Sequence, residues 1–350
     1  MSLKANIKAG ADSLGFVAVG FTSVLPVPGF QRYQNWIENG QQAGMSYLAS
    51  QRSLEMRSNP RKLLPSCRTV ISLLSSYPPP EDLRSGGMPG EDTSTIRHSG
   101  RIAAFAVLPD YHDVIKDRLG TLANLIRDLA GTELETYPCV DSAPILEKGY
   151  AHKSGLGWIG RNSLLLHPDF GSWTFLSELL VSLEIEPDET DEGEGCGTCQ
   201  LCLLACPTQA ILPDHTIDAR RCLGYLTIEN RGEIPAEFRE AVGDRVFGCD
   251  QCQSVCPMNK KARLESKRSV IEEFPDLGGS FSLTEEEFKQ KYRHTPVWRA
   301  KYSGFRRNIA IAMGNSGQKE FIPLLEIALE HESDTIVADA IQWGLGILLQ

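Results

Sequence analysis

The chain has no apolar run long enough to form a bilayer-spanning helix, which excludes a helical membrane anchor. Its first residues, MSLKANIKAGADSLGF, show neither the basic-then-apolar profile of a secretory signal nor a twin arginine, so a cytoplasmic, reducing location is expected. An overall excess of positive charge is also missing. The formal net charge is −10, which argues against non-specific nucleic-acid binding by the whole surface. No Gly-x-Gly-x-x-Gly follows a strand-like segment and there is no P-loop, so a Rossmann flavin or nicotinamide site is unsupported. At 350 residues the chain is long enough for two or three domains with substantial cores.

What is present is patterned cysteine. One run is Cys196-x2-Cys199-x2-Cys202-x3-Cys206-Pro207, another is Cys249-x2-Cys252-x3-Cys256-Pro257, and Cys222 lies between them. The first spacing, with its closing proline, is that of bacterial two-cluster ferredoxins. Three cysteines on a tight loop can grip three irons of one cubane, while the fourth, on a short helix, reaches the neighbouring cluster. Cys196, Cys199, Cys202 and Cys256 are therefore expected to hold one 4Fe–4S cluster, and Cys206, Cys222, Cys249 and Cys252 the other. Structural zinc usually needs four ligands per site, often with His, and gives no reason for the paired Cys-Pro endings. Disulfides would need an oxidising compartment. Cys67 and Cys139 are left over and read as small buried hydrophobes, although Cys139 stands close enough to Asp141 to line a site.

Three zones follow along the chain: residues 1–183, 184–262 and 263–350. In the first, Lys4 to Leu14 reads as an amphipathic helix, Phe16 to Val19 and Thr69 to Leu74 as short strands, and Tyr77-Pro78-Pro79-Pro80 as a break. Ser85 to Gly100 is a loop, Tyr111 to Ala130 a long helix, and Leu164 to Leu166 and Phe175 to Leu183 are strands. The acidic run Glu184–Glu194 leads into the cysteine zone. The last zone begins basic, with Lys260, Lys261, Arg263, Lys267, Arg268, Lys289, Lys291, Arg293, Arg299, Lys301, Arg306 and Arg307. Such a stretch is either a solvated face or a local footprint for phosphates. Helices over Phe305 to Asn315, Glu320 to Glu330 and Thr335 to Leu349, with small residues at close spacing, suggest stacked pairs of the HEAT type or a plain helical cap.

A ferredoxin module inside a longer chain usually feeds a further centre. The cobalamin-ligating Asp-x-His-x-x-Gly pattern is incomplete: Asp110-Tyr111-His112 begins it, but Ile115 stands where Gly is required. From composition and spacing the protein is an iron–sulfur oxidoreductase whose catalytic centre is not specified. The glycine-dense stretch Tyr137 to Trp173 suits either close backbone approach to a large ligand or a set of tight turns around a buried tryptophan.

The sequence resembles the epoxyqueuosine reductase family. The resemblance is carried by Arg57 with Asn59-Pro60-Arg61-x2-Leu64-Pro65, Asp110-Tyr111-His112, Cys139-Val140-Asp141-Ser142-Ala143-Pro144, Gly155-Leu156-Gly157-Trp158-Ile159-Gly160, Gly171-Ser172-Trp173 and the cluster cysteines. Arg161 stands where the family often has Lys, and Asn59 where it often has Asp; the first keeps the charge but changes its geometry. What the resemblance implies is an α+β architecture: an N-terminal corrinoid-binding α/β domain similar to reductive dehalogenases, a ferredoxin-like two-cluster module, and HEAT-like C-terminal helices. It also implies reduction of epoxyqueuosine to queuosine in tRNA, with electrons passing through two 4Fe–4S clusters to cobalamin.

Asp141 is then the expected proton donor, which requires a raised pKa, most plausibly from desolvation over the corrin face; the alternative is that it caps the helix starting near Pro144. Arg57, Asp141, Asn162, Ser163 and Gln251 are expected at the cofactor, and His112 near the substrate pocket. The implied partners are a tRNA anticodon stem-loop, bound by the basic region and the C-terminal helices, and an electron donor such as flavodoxin or ferredoxin, with the protein a monomer. A corrinoid reductive dehalogenase and a pure electron-transfer module are the alternatives.

Overall fold

Thr69–Ser76 is a run of β-branched, apolar and small residues, every one of them buried, as the centre of a sheet requires. In the computed structural model, which describes residues 2–84, 98–189, 195–263 and 269–350, this strand pairs with Ala18–Ser23 on one side and Thr174–Val181 on the other. Thr136–Cys139 completes the four-stranded sheet beyond Thr174–Val181. All these pairings are antiparallel. The α/β layering expected of the N-terminal zone is thus built on antiparallel pairing, and α+β describes it. Apolar periodicity marks a strand but carries no information about its partner's direction. Most of the loop expected over Ser85 to Gly100, the end of the acidic run, and Lys267 and Arg268 lie outside the described residues.

Residues opposite one another in register share a face. Phe21, Ile71, Leu73, Leu179 and Val181 form a core with Ile7 and Ala11 of the Leu3–Ser13 helix and Ile115, Leu119, Leu122 and Ile126 of the Tyr111–Ala130 helix. The long helix has the limits its apolar spacing predicts. Asp110 accepts from the His112 N–H at its start, and Gly131, at φ 63°, ends it. On the other face, Val70, Leu180 and Cys139 meet Cys67, Ile145 and Tyr150, and Leu74 meets Ala151, Leu156 and Leu165. The Glu147–Lys153 helix lies so close to the sheet that a Cβ on Gly20 would sit 2.4 Å from the Ser154 carbonyl oxygen. Both leftover cysteines are buried, as small hydrophobes are, and burial raises their thiols, Cys67 to about 11.

Among the described residues the cysteine zone has no separate core. Leu223, Leu226, Val246 and Phe247 pack in one cluster with Phe305, Ile309, Ala312, Val337 and Ile341. The last belong to the helices Lys301–Ser316 and Thr335–Leu348, which cross where Gly314 meets Gly344. Ile322–His331 packs beside them.

Two expected phosphate-binding arginines are internal. Arg306 pairs with Glu332 in a largely buried ion pair. Arg307 is 1% exposed and donates to the carbonyls of Leu226 (2.7 Å), Asn230 (3.0 Å) and Gly232, while Asn308 donates to those of Thr227 and Val246, both at 2.8 Å. The Leu223–Ile228 helix therefore has carbonyls of its last turn satisfied from another part of the chain. Charge alone made these arginines read as surface, but a guanidinium with several donors also suits a buried cluster of carbonyls.

Candidate active site

The turn Val140–Ser142 leaves the end of the Thr136–Cys139 strand and sets Asp141 at φ 48°, a left-handed conformation that Asp tolerates better than most residues. Its N–H donates to Glu147 Oε1 at 2.6 Å, so the first residue of the Glu147–Lys153 helix fixes the turn. The capping alternative is not realised: no side chain caps that helix at Leu146. Instead Asp141 Oδ2 accepts from Tyr111 Oη at 2.7 Å and from Arg299 Nη1 at 3.1 Å, and lies 3.3 Å from His112 Nε2. Arg299 Nη2 also lies 2.5 Å from His112 Nε2, and His112 Nδ1 lies 2.7 Å from Asp110 Oδ1. A guanidinium only donates, so Nε2 is an acceptor and the ring proton sits on Nδ1, facing Asp110. Tyr111 stacks on Phe175 at a 4.4 Å centroid separation, which fixes the phenol.

This geometry overturns the expected electrostatics of Asp141. Burial pushes its carboxyl up, while the Arg299 guanidinium and the Tyr111 hydroxyl, both donating to Oδ2, pull it down, and the balance holds it well below the usual carboxylate range. Glu147 goes the other way: burial and the neighbouring Asp141 charge push it up to about 8. Glu178, fully buried in the Thr174–Val181 strand with neither carboxylate oxygen hydrogen-bonded, is raised well above normal by burial and by Glu147. One acid of the site is thus held below the ordinary carboxylate range beside two that are pushed above it.

Asp141, Glu147, Arg57, Tyr47, Glu229 and Arg299 line a cavity of about 710 Å³. Beyond Ile145 and Glu147 a second cavity, of about 310 Å³, continues past Tyr33, Trp36, Lys148 and Ser163. Arg57 lies over the Tyr33 ring, 5.4 Å from its centroid, and bonds Ser53. Ser163, at φ 61°, accepts the Lys148 ammonium through its carbonyl at 2.8 Å. Asn162 is buried and reaches the Cys252 carbonyl at 3.4 Å, behind the cavities rather than in their lining. Gln251 is elsewhere: it accepts from Arg245 at 3.0 Å and lines a separate polar cavity of about 130 Å³. Arg161 donates to the Gly197 carbonyl at 3.0 Å, in the first cysteine loop.

Sequence reasoning missed Arg299, Glu147, Lys148 and Tyr47. Arg299 carries no local signal, because it reaches Asp141 from the far end of the chain. Glu147 could have been suspected from its position one turn beyond the Asp141 loop.

All ten cysteines are free. The eight of the runs lie near enough to perturb one another, Cys252 through Cys202 as well as through Cys249 and Cys222. Burial raises Cys202 and Cys256, and each is raised further by nearby Cys196. Burial raises Cys222 to about 11 with contributions from Cys249 and Cys206, and Cys252 is raised by burial, Cys249 and Cys222. The short helices Leu201–Ala205 and Gln251–Ser254 pack together, which brings the two cysteine runs side by side. Cys206 Sγ accepts the Ala210 N–H at 3.3 Å.

Residues 195–259 match the family model described as 4Fe-4S double cluster binding domain, and residues 57–142 that described as Epoxyqueuosine reductase QueG, DUF1730. The chain is 37% identical to an epoxyqueuosine reductase of Pseudomonas aeruginosa, over 98% of this chain and 94% of the relative. It is 35% identical to one of Escherichia coli, over 98% and 89%. An epoxyqueuosine reductase structure from Streptococcus thermophilus superposes with a TM-score of 0.87 at 30% identity, covering 100% of this chain and 91% of that one. Another, crystallised with a tRNA-Tyr epoxyqueuosine-modified stem loop, gives 0.82 at 26%, with 99% of both chains covered. With such identity sustained along nearly the whole of both chains, this chain belongs to the epoxyqueuosine reductase family.

Proposed function

We propose that the protein reduces epoxyqueuosine to queuosine in tRNA, the last step of queuosine synthesis, using two 4Fe–4S clusters, a cobalamin and Asp141 as proton donor. One observation carries this reading. The Asp141 carboxylate, with Tyr111, His112 and Arg299 around it, faces a cavity whose wall includes Glu229, at the end of the short helix that Cys222 begins. The cavity that holds the acid is thus one short helix away from a proposed cluster ligand.

The reduction takes two electrons and two protons, and the epoxide oxygen leaves as water. Cys196, Cys199, Cys202 and Cys256 would hold one cluster, and Cys206, Cys222, Cys249 and Cys252 the other, with the Ala210 N–H donating to a ligand sulfur. The paired cavities fit a corrin in their chemistry. Pro144, Ile145, Leu146 and Trp36 offer an apolar surface, and Arg57, Ser53, Lys148 and Ser163 offer polar groups to an amide-fringed rim. Cobalamin bound there would supply the strongly reducing chemistry that an epoxide needs. Asp141, once protonated, gives its proton to the oxygen released from the ring. Tyr111 and His112 orient that carboxyl, and Glu147 holds its backbone turn. Asn162 serves from behind, at the Cys252 carbonyl, and Gln251 contributes through Arg245 rather than at the corrin.

The divisions 1–183, 184–262 and 263–350 correspond in this reading to cobalamin, cluster and HEAT-type helical units of a monomer. No helix among the described residues is long and apolar enough to cross a membrane. A flavodoxin or ferredoxin in the cytoplasm would supply electrons.

Anaerobically purified protein is expected to carry about eight irons per chain. With reductant and cobalamin it should convert the modified nucleoside of tRNA to one lighter by an oxygen atom, read by mass spectrometry. Four irons or fewer, or zinc in their place, would remove the cluster assignment. Full iron with neither conversion nor corrinoid absorbance would leave an electron-transfer module.

Lys260 and Arg263 are exposed, and Lys261 follows Lys260 in sequence. Replacing all three by Gln should weaken stem-loop binding and reduce the slope of log affinity against log salt by about 2 to 3. An unchanged slope would remove these residues from the RNA footprint.

A further inference from the structure

Arg299 sits where a proton should be. Its guanidinium donates to Asp141 Oδ2 at 3.1 Å through one nitrogen and lies 2.5 Å from His112 Nε2 through the other. Those two acceptors are only 3.3 Å apart. Two lone pairs at that separation can share a single proton, but here both are turned toward one cation, so the acid is held in its spent form. A donor that must give up a proton cannot work in this arrangement.

Arg299 also reaches the group from another part of the chain. It stands in the cavity wall with its side chain 34% exposed, on the Pro296–Ala300 turn of the C-terminal unit, whereas Asp141, Tyr111 and His112 belong to the N-terminal unit. Exposed Arg293 and Lys301 flank it, and among the described residues neither forms an ion pair. Lys301 lies over the Trp298 ring, 5.1 Å from its centroid. A polyanion drawn to these cations arrives beside Arg299.

We propose that Arg299 is a substrate-sensing lock on the catalytic acid: a phosphodiester of bound tRNA draws the guanidinium off Asp141 and His112, and a proton from solvent takes its place between them. Arg299 is thus a positioning residue, and the mechanism presupposes the tRNA-directed reduction proposed above. Binding and proton loading become one event, so the acid is charged only when substrate is present. The other titratable and charged groups around Asp141 are Tyr111, Glu147, Tyr47, Arg57 and Glu229, with Asp110 behind His112. None of them bridges the two acceptors.

The test is calorimetric titration of the holoenzyme with an unmodified anticodon stem-loop RNA, in buffers of different ionisation enthalpy at neutral pH, which counts protons taken up on binding. The wild-type protein is expected to take up about one proton per RNA bound, by the linkage between protonation and binding. Arg299→Gln, in which a proton is already admitted, and Asp141→Asn, which cannot hold one, should each take up close to none. Arg299→Lys, which keeps the charge, should restore much of the uptake. Wild-type binding with no proton uptake, or equal uptake by Arg299→Gln, would overturn the lock and leave the proposed reaction standing. Uptake only with epoxyqueuosine-bearing RNA would overturn the phosphodiester as the displacing group. A wild-type protein that binds neither RNA would overturn the lock and the reaction together.

Discussion

Asp141→Asn should leave the protein folded, with its iron and its affinity for cobalamin intact, and lower turnover of epoxyqueuosine tRNA by about 10²–10⁴-fold, the usual contribution of a positioned general acid. The amide is the same size. Through its oxygen it can still accept from Tyr111 and Arg299, as the carboxylate does at 2.7 and 3.1 Å. What it lacks is a transferable proton. Single-turnover assays with iron analysis and a thermal melt on the same sample separate this loss from unfolding. Turnover at the wild-type rate would remove Asp141 from the chemistry. A structural capping role makes a different prediction, a lowered melting temperature with activity retained, and the contacts of Asp141 with three side chains of the cavity speak against it.

Arg307→Leu should be the most damaging substitution outside the site. The side chain is 1% exposed, and its guanidinium joins the carbonyls of Leu226, Asn230 and Gly232 to Asn308 Oδ1. Burial and nearby Arg231 lower it to about 10, so it remains charged at neutral pH. Leucine matches much of the volume but leaves buried carbonyls without donors, each at a cost of about 1–3 kcal/mol. A destabilisation of about 3–5 kcal/mol follows, comparable to breaking a buried ion pair, and the melting midpoint should fall by roughly 10 °C. Arg293→Leu, an exposed arginine of the same basic stretch, should move the midpoint by less than about 1–2 °C, a surface effect. Equal effects of the two changes would mean that Arg307 is not structurally bound in solution.

The contrast between these arginines shows where sequence reading stops. Local regularities were legible. The Tyr111–Ala130 helix has the limits its apolar spacing gives, and Thr335–Leu348 differs from expectation by a residue. The Thr69–Ser76 strand starts where expected and runs a little further. For the eight cysteines, spacing supplies only the grouping proposed above, since loops that short leave few ways to surround a cubane. His112 was placed near the site by the motif that contains it. What could not be read was contact between distant segments. Arg299 lies 158 positions from Asp141 and Arg307 81 from Leu226, so both were grouped with their charged neighbours as surface. The lowered pKa of Asp141 escaped for the same reason, because the cation that contributes to it arrives from the other end of the chain. Gln251 shows the opposite error: adjacency to Cys252 suggested the acceptor site, but its side chain turns away to Arg245.

One six-residue helix, Leu223–Ile228, begins at Cys222, a proposed cluster ligand, and ends under the grip of Arg307 and Asn308. If Cys222 holds a cluster as proposed, loss of that cluster would free one end of a helix whose other end Arg307 and Asn308 anchor in the core, so iron content and the stability of the helical unit should fall together.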